Sequence, residues 1–420
     1  MPLLTPQKLC LISVAFIAGA MFWSYQGPGP EYDSDKHSHI KKTLAALGHT
    51  PGKPIVLLTG AAGFVGFHTT MEMLRRGTTV IGLDNFNHYY DVNLKHTRAS
   101  KLKKAGMTTL FRGDVCDGDL LKLLMREGHV TRVIHLAAQA GVRYSLKKPL
   151  AYVEANVRCF VTILEAVKEV DKTMPITYAS SSSVYGLNTE IPFSEKHRIE
   201  TQASLYGATK EANERIAHVY HHLHGLKLTG LRFFTVYGPI GRPDMAYFSF
   251  TQAIVAGKRI TEYRKDDGTE LQRDFTYVSD IVDGVIAASE LGAPLEIFNL
   301  GNTHPEKVST LIHLLEEGLG KKANITQAPI SAGDVPMTFA DVSHARDRLG
   351  YRPRVSLREG VSKFLAWYSD YYKVPLSDSF KVKHNGKEGK SSKRALRRQS
   401  RRNLVQRRLF SSDRPQRASS

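Results

Sequence analysis

Short apolar runs alternate along this chain with longer stretches in which apolar residues recur at helical spacing. Ile55-Val56-Leu57-Leu58-Thr59, Thr79-Val80-Ile81-Gly82-Leu83 and the segments 109–112, 132–136, 176–179 and 228–234 read as strands covered on both faces. Between them, 64–76, 117–127, 149–170 and 204–223 carry the pattern of amphipathic helices, the first closed by Gly77. Strands alternating with helices predict βαβ units, hence an α/β fold with a Rossmann-type, doubly wound parallel sheet. After about Gly241 the segments shorten and lose this regularity, which predicts a smaller C-terminal substrate-binding lobe. No internal repeat is visible.

Outside this body, at 54–375, the pattern changes. Leu9 to Tyr25 is an uncharged run of 17 residues, preceded by Lys8 and followed by Glu31, Asp33 and Asp35. Residues 1–25 therefore read as a signal-anchor, a single-pass type II segment with the body on the lumenal side of a Golgi or other secretory-pathway membrane. A cleaved signal peptide ending at Ala18-Gly19-Ala20 is the competing reading, and it sends the body to the same side. Residues 26–53 read as a stem or linker, and 54–240 and 241–375 as the two parts of the body. The sequon Asn324-Ile325-Thr326 fits a secretory route.

Composition narrows the class. At 420 residues with 42% hydrophobic and 23% charged residues, neither a mostly disordered chain nor a polytopic membrane protein fits. The net charge of +18 is concentrated at the C-terminus: residues 381–420 hold 14 Lys/Arg against two acids. A basic, disordered tail at 376–420 is expected, either solvated or resting on an acidic surface or membrane. The body has little excess charge, so no nucleic-acid partner is expected. Three cysteines are too few for a disulfide framework; Cys116 and Cys159 fall in folded stretches and Cys10 in the apolar run. No metal site is expected.

The chemistry begins at Gly60-Ala61-Ala62-Gly63-Phe64-Val65-Gly66, directly after the first strand and opening the first helix. The first glycine serves a tight turn, the second a close approach to pyrophosphate, the third helix–strand packing, and the helix N-terminus offers free N–H groups. Asp84 ends the second strand, 24 residues on, where a carboxylate bonds adenosine ribose hydroxyls and favours NAD over NADP. Asp114, after the third strand, is placed to meet the adenine, and Leu136-Ala137-Ala138 let the cofactor lie against the chain. With them, Asn85, Val115, Asn156, Tyr206 and Lys210 complete the expected cofactor contacts.

Tyr206-Gly207-Ala208-Thr209-Lys210 puts a phenol and an amine on one helix face. A neighbouring ammonium and a positive nicotinamide favour the phenolate, which makes Tyr206 a general base toward a sugar hydroxyl. The strand ending in Ser180-Ser181-Ser182-Ser183-Val184-Tyr185-Gly186 can bring a hydroxyl to the same oxygen. Tyr206 and Lys210, with a serine of that run, are the expected catalytic residues.

These features together resemble the extended short-chain dehydrogenase/reductase family and, within it, the UDP-glucuronate 4-epimerases. The resemblance spans nearly all of 54–370. It rests on Thr-Gly-Ala-Ala-Gly-Phe-Val-Gly (59–66), Leu-Asp-Asn-Phe-Asn-His-Tyr-Tyr-Asp (83–91), Phe-Phe-Thr-Val-Tyr-Gly-Pro (233–239) and Arg-Asp-Phe-Thr-Tyr-Val-Ser-Asp-Ile (273–281), and most specifically on Gly-Val-Arg-Tyr-Ser (141–145) and Gly-Arg-Pro-Asp-Met (241–245). It implies oxidation of the sugar at C4, rotation of the 4-keto sugar, and re-reduction with a tightly held NAD. It implies that Ser181 assists Tyr206 and that Ser182 and Ser183, with Arg143 and Arg242, face the sugar carboxylate. Thr235, Arg273 and Asp334 match contacts to sugar, diphosphate and uridine ribose. The helices 149–170 and 204–223 resemble the pair that forms a dimer through a four-helix bundle, so a homodimer is implied.

Related chemistries are separable. Sugar-nucleotide 4,6-dehydratases carry Asp-Glu at the positions of Ser182 and Ser183, and two serines cannot supply that acid and base at neutral pH. UDP-glucuronate decarboxylases carry Glu at the position of Ser183. UDP-glucose/galactose 4-epimerases need no carboxylate contacts, so Arg143 and Arg242 count against them. A non-catalytic NAD-binding scaffold conflicts with the complete Ser181, Tyr206 and Lys210 set. One departure is Ser331, where many relatives have Arg; Arg259 is a candidate replacement.

Overall fold

The sheet forms where the sequence is most continuously apolar. In the computed structural model, which describes residues 34–48, 52–330, 335–378 and 380, β1 (Ile55–Thr59) is buried along its whole length. It leads through the glycine turn to α1 (Phe64–Arg75), β2 (Thr79–Asp84), α2 (Val92–Lys104), β3 (Leu110–Arg112), α3 (Gly118–Glu127) and β4 (Arg132–His135). A short α4 (Val142–Ser145) precedes α5 (Pro149–Tyr152), a π-helical turn (Val153–Arg158) and α6 (Cys159–Val170), which run on as one rod where a single helix is predicted. Then follow β5 (Ile176–Ser181), a 3₁₀ turn (Ser182–Tyr185), α7 (Leu205–His224) and β6 (Leu228–Phe233).

The strand order, with β10 (Leu295–Leu300) at one edge, is β10-β6-β5-β4-β1-β2-β3, and every adjacent pair is parallel. The chain winds outward from β1 through β2 to β3, then crosses back to β4. The carboxyl ends of β1 and β4 thus mark the point where the winding reverses, where open α/β sheets bind ligands.

Two elements depart from the expected pattern. α2 is not foreseen: five of its thirteen residues are Lys or Arg, and its buried residues are Leu94, Lys95, Arg98 and Leu102, two of them basic. β10 joins the main sheet although it falls after Gly241, as does α9 (Val278–Leu291), which packs against α1. The rest of the C-terminal part is a smaller lobe. β7 (Thr235–Tyr237), β11 (Pro305–Lys307) and β13 (Met337–Thr338) pair with β9 (Gln272–Tyr277), while β8 (Arg259–Arg264) pairs with β12 (Asn324–Pro329). α8 (Ala246–Val255), α10 (Val308–Leu319) and α12 (Leu357–Tyr372) pack against it, while α11 (Ser343–Leu349) packs against β10 and α9. Tyr247 and Phe248 of α8 meet Phe364 of α12 edge-on or tilted.

A separate N-terminal unit ends at Leu47; its described part is a helix, Ser34–Ala45, in what reads from sequence as a linker. The apolar run 9–25, nearly all of the basic tail, Ser331 and Asp334 lie outside the described residues. Among the described residues no helix is long and apolar enough to cross a membrane.

Candidate active site

One cleft of about 480 Å³ opens at the carboxyl ends of the central strands. Its cofactor end is built from backbone. Gly60 has φ 73°, a left-handed conformation that favours glycine, and a Cβ there would lie 2.8 Å from the Ala137 nitrogen on the neighbouring strand's extension. A Cβ on Gly66 would collide with the Gly60 carbonyl oxygen. The turn is therefore a cradle that only glycine can line, opening the N-terminus of α1. Together with the carboxylate at the end of β2, this fits the diphosphate and ribose of NAD.

Asp84 is buried and heavily engaged. Its Oδ2 accepts from the Ala62 N–H (3.0 Å), and its Oδ1 accepts from the Phe86 N–H (2.8 Å) and from Lys95 Nζ (3.3 Å). Lys95 also donates to Asn87 Oδ1 (3.1 Å) and lines the cleft; sequence reading missed it because it lies on the unforeseen α2. Phe64, Val65, Gly63, Asn85, Asp114, Val115, Leu136, Ala137 and Ala138 line the cleft as expected. Asn85 Nδ2 donates to Asp114 Oδ2 (3.0 Å).

Asn156 does not line it. Its Oδ1 accepts from the Gln139 N–H (2.8 Å) and its Nδ2 donates to the Gln139 carbonyl (3.0 Å) and Thr209 Oγ1 (3.1 Å), which pins the β4 extension to α7.

At the reacting end, β5 delivers the serines and α7 delivers Tyr206 and Lys210. Ser204 caps α7, accepting from the Gly207 N–H (3.1 Å). Ser181, Ser182, Ser183, Tyr206 and Lys210 all line the cleft. Lys210 Nζ donates to the Ala179 carbonyl (2.8 Å); burial pulls its pKa down to about 8, with Glu214 opposing. Tyr206 is pulled in both directions by its surroundings. Burial raises its pKa, and the hydrogen bond to Ser181 and the charge of Arg242 only partly offset this.

Below the serines is a buried network. Ser180 Oγ donates to Glu214 Oε1 (2.6 Å), and Arg232 grips the same carboxylate through Nε (2.9 Å) and Nη2 (2.7 Å). Arg232 Nη1 continues to the Tyr185 hydroxyl (3.0 Å), which donates to Asn299 Oδ1 (2.7 Å). This network fixes the strand end that presents the serines.

The two arginines implied for the sugar carboxylate part ways. Arg242 lines the cleft and forks onto Asp244, Nε to Oδ1 (3.1 Å) and Nη2 to Oδ2 (2.5 Å); the Tyr89 hydroxyl donates to Asp244 Oδ2 (3.0 Å). Burial pushes the Asp244 carboxyl up, but Arg242 and Tyr89 outweigh it and hold it below the usual range. Arg143 is exposed, stacks over the Tyr263 ring at 4.6 Å, and is not part of the cleft wall. Thr235 and Arg273 line the cleft, and Arg273 also donates to the carbonyls of Gln272 (2.9 Å) and Pro336 (3.3 Å). Arg259 is exposed and lies outside the cleft wall.

Two linkages had no signal in the sequence. Arg98, fully buried, donates to the carbonyls of Ala62 (2.9 Å), Ile240 (2.7 Å) and Gly241 (3.0 Å) and to the Tyr90 hydroxyl (2.7 Å). It ties the glycine turn to the segment that carries Arg242. Cys116 and Cys159 are joined as a disulfide, and both line the cleft.

A parallel sheet reversing at β1, a glycine cradle at that point and a serine–tyrosine–lysine set across from it define an NAD-dependent short-chain dehydrogenase/reductase type of site. The GDP-mannose 4,6 dehydratase family matches residues 57–364. UDP-glucuronate 4-epimerase 4 of Arabidopsis thaliana is 50% identical over 332 residues, 76% of each chain. UDP-glucuronate 4-epimerase 2 of the same plant is 45% identical over 392 residues, 87% of this chain and 90% of its own. The crystal structure of UDP-glucuronic acid 4-epimerase from Bacillus cereus, in complex with UDP-glucuronic acid and NAD, superimposes with a TM-score of 0.69 at 34% identity. It covers 76% of this chain and 100% of that one. The chain belongs to the UDP-glucuronate 4-epimerases of the NAD-dependent epimerase/dehydratase family.

Proposed function

We propose that the chain interconverts UDP-glucuronate and UDP-galacturonate by oxidising and re-reducing C4 of the sugar. The observation that carries this reading is one cleft holding a glycine cradle, the Ser181–Tyr206–Lys210 set and the Arg242 fork. When bound, NAD supplies a reversible acceptor for the C4 hydrogen. Tyr206 Oη takes the C4 hydroxyl proton and later gives it back, with the Ser181 hydroxyl held on the same phenol. Lys210, anchored on the Ala179 carbonyl, keeps a cation beneath the reacting end.

The 4-keto sugar is a β-keto acid and loses carbon dioxide when the breaking bond overlaps the carbonyl. Ser182, Ser183 and the Arg242 guanidinium hold the carboxylate out of that orientation, because charge-assisted bonds are directional. The serines also leave no acid–base pair for elimination.

The test is product analysis by NMR on UDP-glucuronate. UDP-galacturonate should form without carbon dioxide, and Tyr206→Phe should keep its NAD while losing about 10²–10⁴-fold in turnover. Stoichiometric carbon dioxide would make the enzyme a decarboxylase, and unchanged turnover in Tyr206→Phe would remove that residue from the mechanism.

The same reading places the protein as a homodimer on a Golgi or other secretory membrane, held by residues 1–25 with its body in the lumen. Support for the dimer comes from exposed apolar side chains on the two helical rods: Leu150 (80% exposed), Val153, Val219 and Leu223 (64% exposed). Light scattering should give twice the chain mass, and Leu150→Glu with Leu223→Glu should halve it; a monomeric parent would overturn the dimer. Support for the lumen comes from the 17-residue apolar run, the exposed Asn324 sequon and the disulfide, since disulfides persist in oxidising compartments. A protease-accessible body facing the cytosol would defeat that placement.

A further inference from the structure

The cofactor end of the cleft is closed on one side by two segments that are far apart in sequence. One is the loop between β3 and α3, carrying Asp114, Val115 and Cys116. The other is the end of the π-helical turn and the start of α6, carrying Arg158 and Cys159; all five residues line the cleft. The Cys116–Cys159 bond joins the two across a separation of 43 residues.

The Asp114 carboxylate reaches from the first segment to the second. Its Oδ1 accepts from the Cys116 N–H at 2.9 Å and lies 3.9 Å from Cys159 Sγ. The carboxylate placed to meet the adenine is thus held by one half of the disulfide and lies against the other. Cys159 is buried and Cys116 only half-buried, with the cleft as an approach. A small thiol therefore has a route to the bond, and a cofactor seated in the cleft would close that route.

We propose that Cys116–Cys159 is a redox-sensitive clasp on the NAD cleft: oxidised, it holds the adenine-side wall in its binding geometry; reduced, it releases that wall and the cofactor with it. The proposal rests on the NAD reading above. The chemistry is thiol–disulfide exchange with a small thiol of the glutathione class. A thiolate attacks one sulfur, the Cys116–Cys159 bond breaks and a mixed disulfide forms. A second thiol then displaces the remaining cysteine. Two thiols become one disulfide, and the protein's disulfide takes up two electrons and two protons to become two thiols.

The coupling follows from preorganisation. A wall already fixed in place costs the ligand less ordering on binding than one that must be fixed at that moment. Linkage then requires the reverse effect: if the bond favours NAD, NAD favours the bond and slows its reduction.

The test uses the full chain, equilibrated with either glutathione disulfide or glutathione, with thiol state read by alkylation and mass. NAD is followed by its rate of loss during gel filtration and by a direct binding titration. The oxidised protein should lose NAD several-fold more slowly than the reduced protein. Added NAD should slow reduction several-fold. The Cys116→Ser/Cys159→Ser protein should behave as the reduced form in either buffer. Equal NAD loss from the oxidised and reduced wild-type protein overturns the clasp and leaves the cofactor reading intact. So does alkylation of both cysteines after oxidation. Failure of both forms to bind NAD overturns the two together. If the double variant does not fold, the wild-type comparison alone decides.

Discussion

The two ends of the cleft are made in different ways. The cofactor end is mostly backbone: a left-handed glycine, a second glycine pressed on its carbonyl, and the first turn of a helix. The sugar end is mostly side chains brought from separate places: serines from β5, Tyr206 and Lys210 from α7, Arg242 and Asp244 from the segment after β7, and Tyr89 from the segment after β2. A backbone site is fixed by short-range steric rules and tolerates almost no change in shape. A side-chain site can be retuned one residue at a time, which is how related folds come to act on different sugars.

Two histidines, one on α1 and one on β4, resist protonation. Burial pulls His68 of α1 down to about 4, the Pro239 carbonyl opposing and Arg98 adding to the drop; burial and then Lys210 pull His135 of β4 down to about 3. Both have lower pKa values folded than unfolded, so the unfolded chain binds more protons below pH 6.5 and acid favours unfolding. Between pH 6.5 and 4 the His68 contribution alone should remove about 3 kcal/mol. Denaturant titrations across that window should show the loss, and His68→Gln should flatten it by a similar amount; an equal acid limb in both proteins would clear His68.

Gly66→Ala presses a methyl group onto the Gly60 carbonyl, which cannot rotate away. Overpacking of this kind costs about 2 kcal/mol, or about 30-fold in NAD affinity, while the sugar end keeps its geometry. A binding titration with NAD checks it, and unchanged affinity would mean that the turn has slack.

The smallest change is expected for the Arg242 fork. Arg242→Ala should lower the preference for UDP-glucuronate over UDP-glucose about tenfold, the low end for a charged hydrogen bond because Ser182 and Ser183 remain. Equal losses on both sugars would mean that Arg242 does not read the carboxylate.

The same contrast explains what could be read from sequence. The β1–α1–β2 unit, its glycine turn and Asp84 are contiguous, so strand, turn and helix each leave a local mark. The serine run and the Tyr206–Lys210 pair are also local, and both face the cleft. Arg143 and Arg242 looked equivalent as motif members, yet one stacks on Tyr263 outside the wall and the other lies inside it, because that choice depends on where α4 meets β8. The Asp244 partner of Arg242, the Arg98 linkage and the disulfide join residues that only the closed fold brings together. α2 was hidden because its buried stripe contains an arginine where an apolar residue would have shown the periodicity. β10 was hidden because it returns to the main sheet after a stretch of shorter elements.

Arg98 carries one more consequence. By holding the carbonyls of Ala62, Ile240 and Gly241 at once, it makes the glycine turn and the arm bearing Arg242 two ends of a single joint. The arm is therefore not a cassette. Grafting 239–244 from a relative with another sugar preference would require the recipient's α2 to offer the same guanidinium at the same depth. Otherwise the borrowed specificity would arrive at the expense of the nucleotide seat.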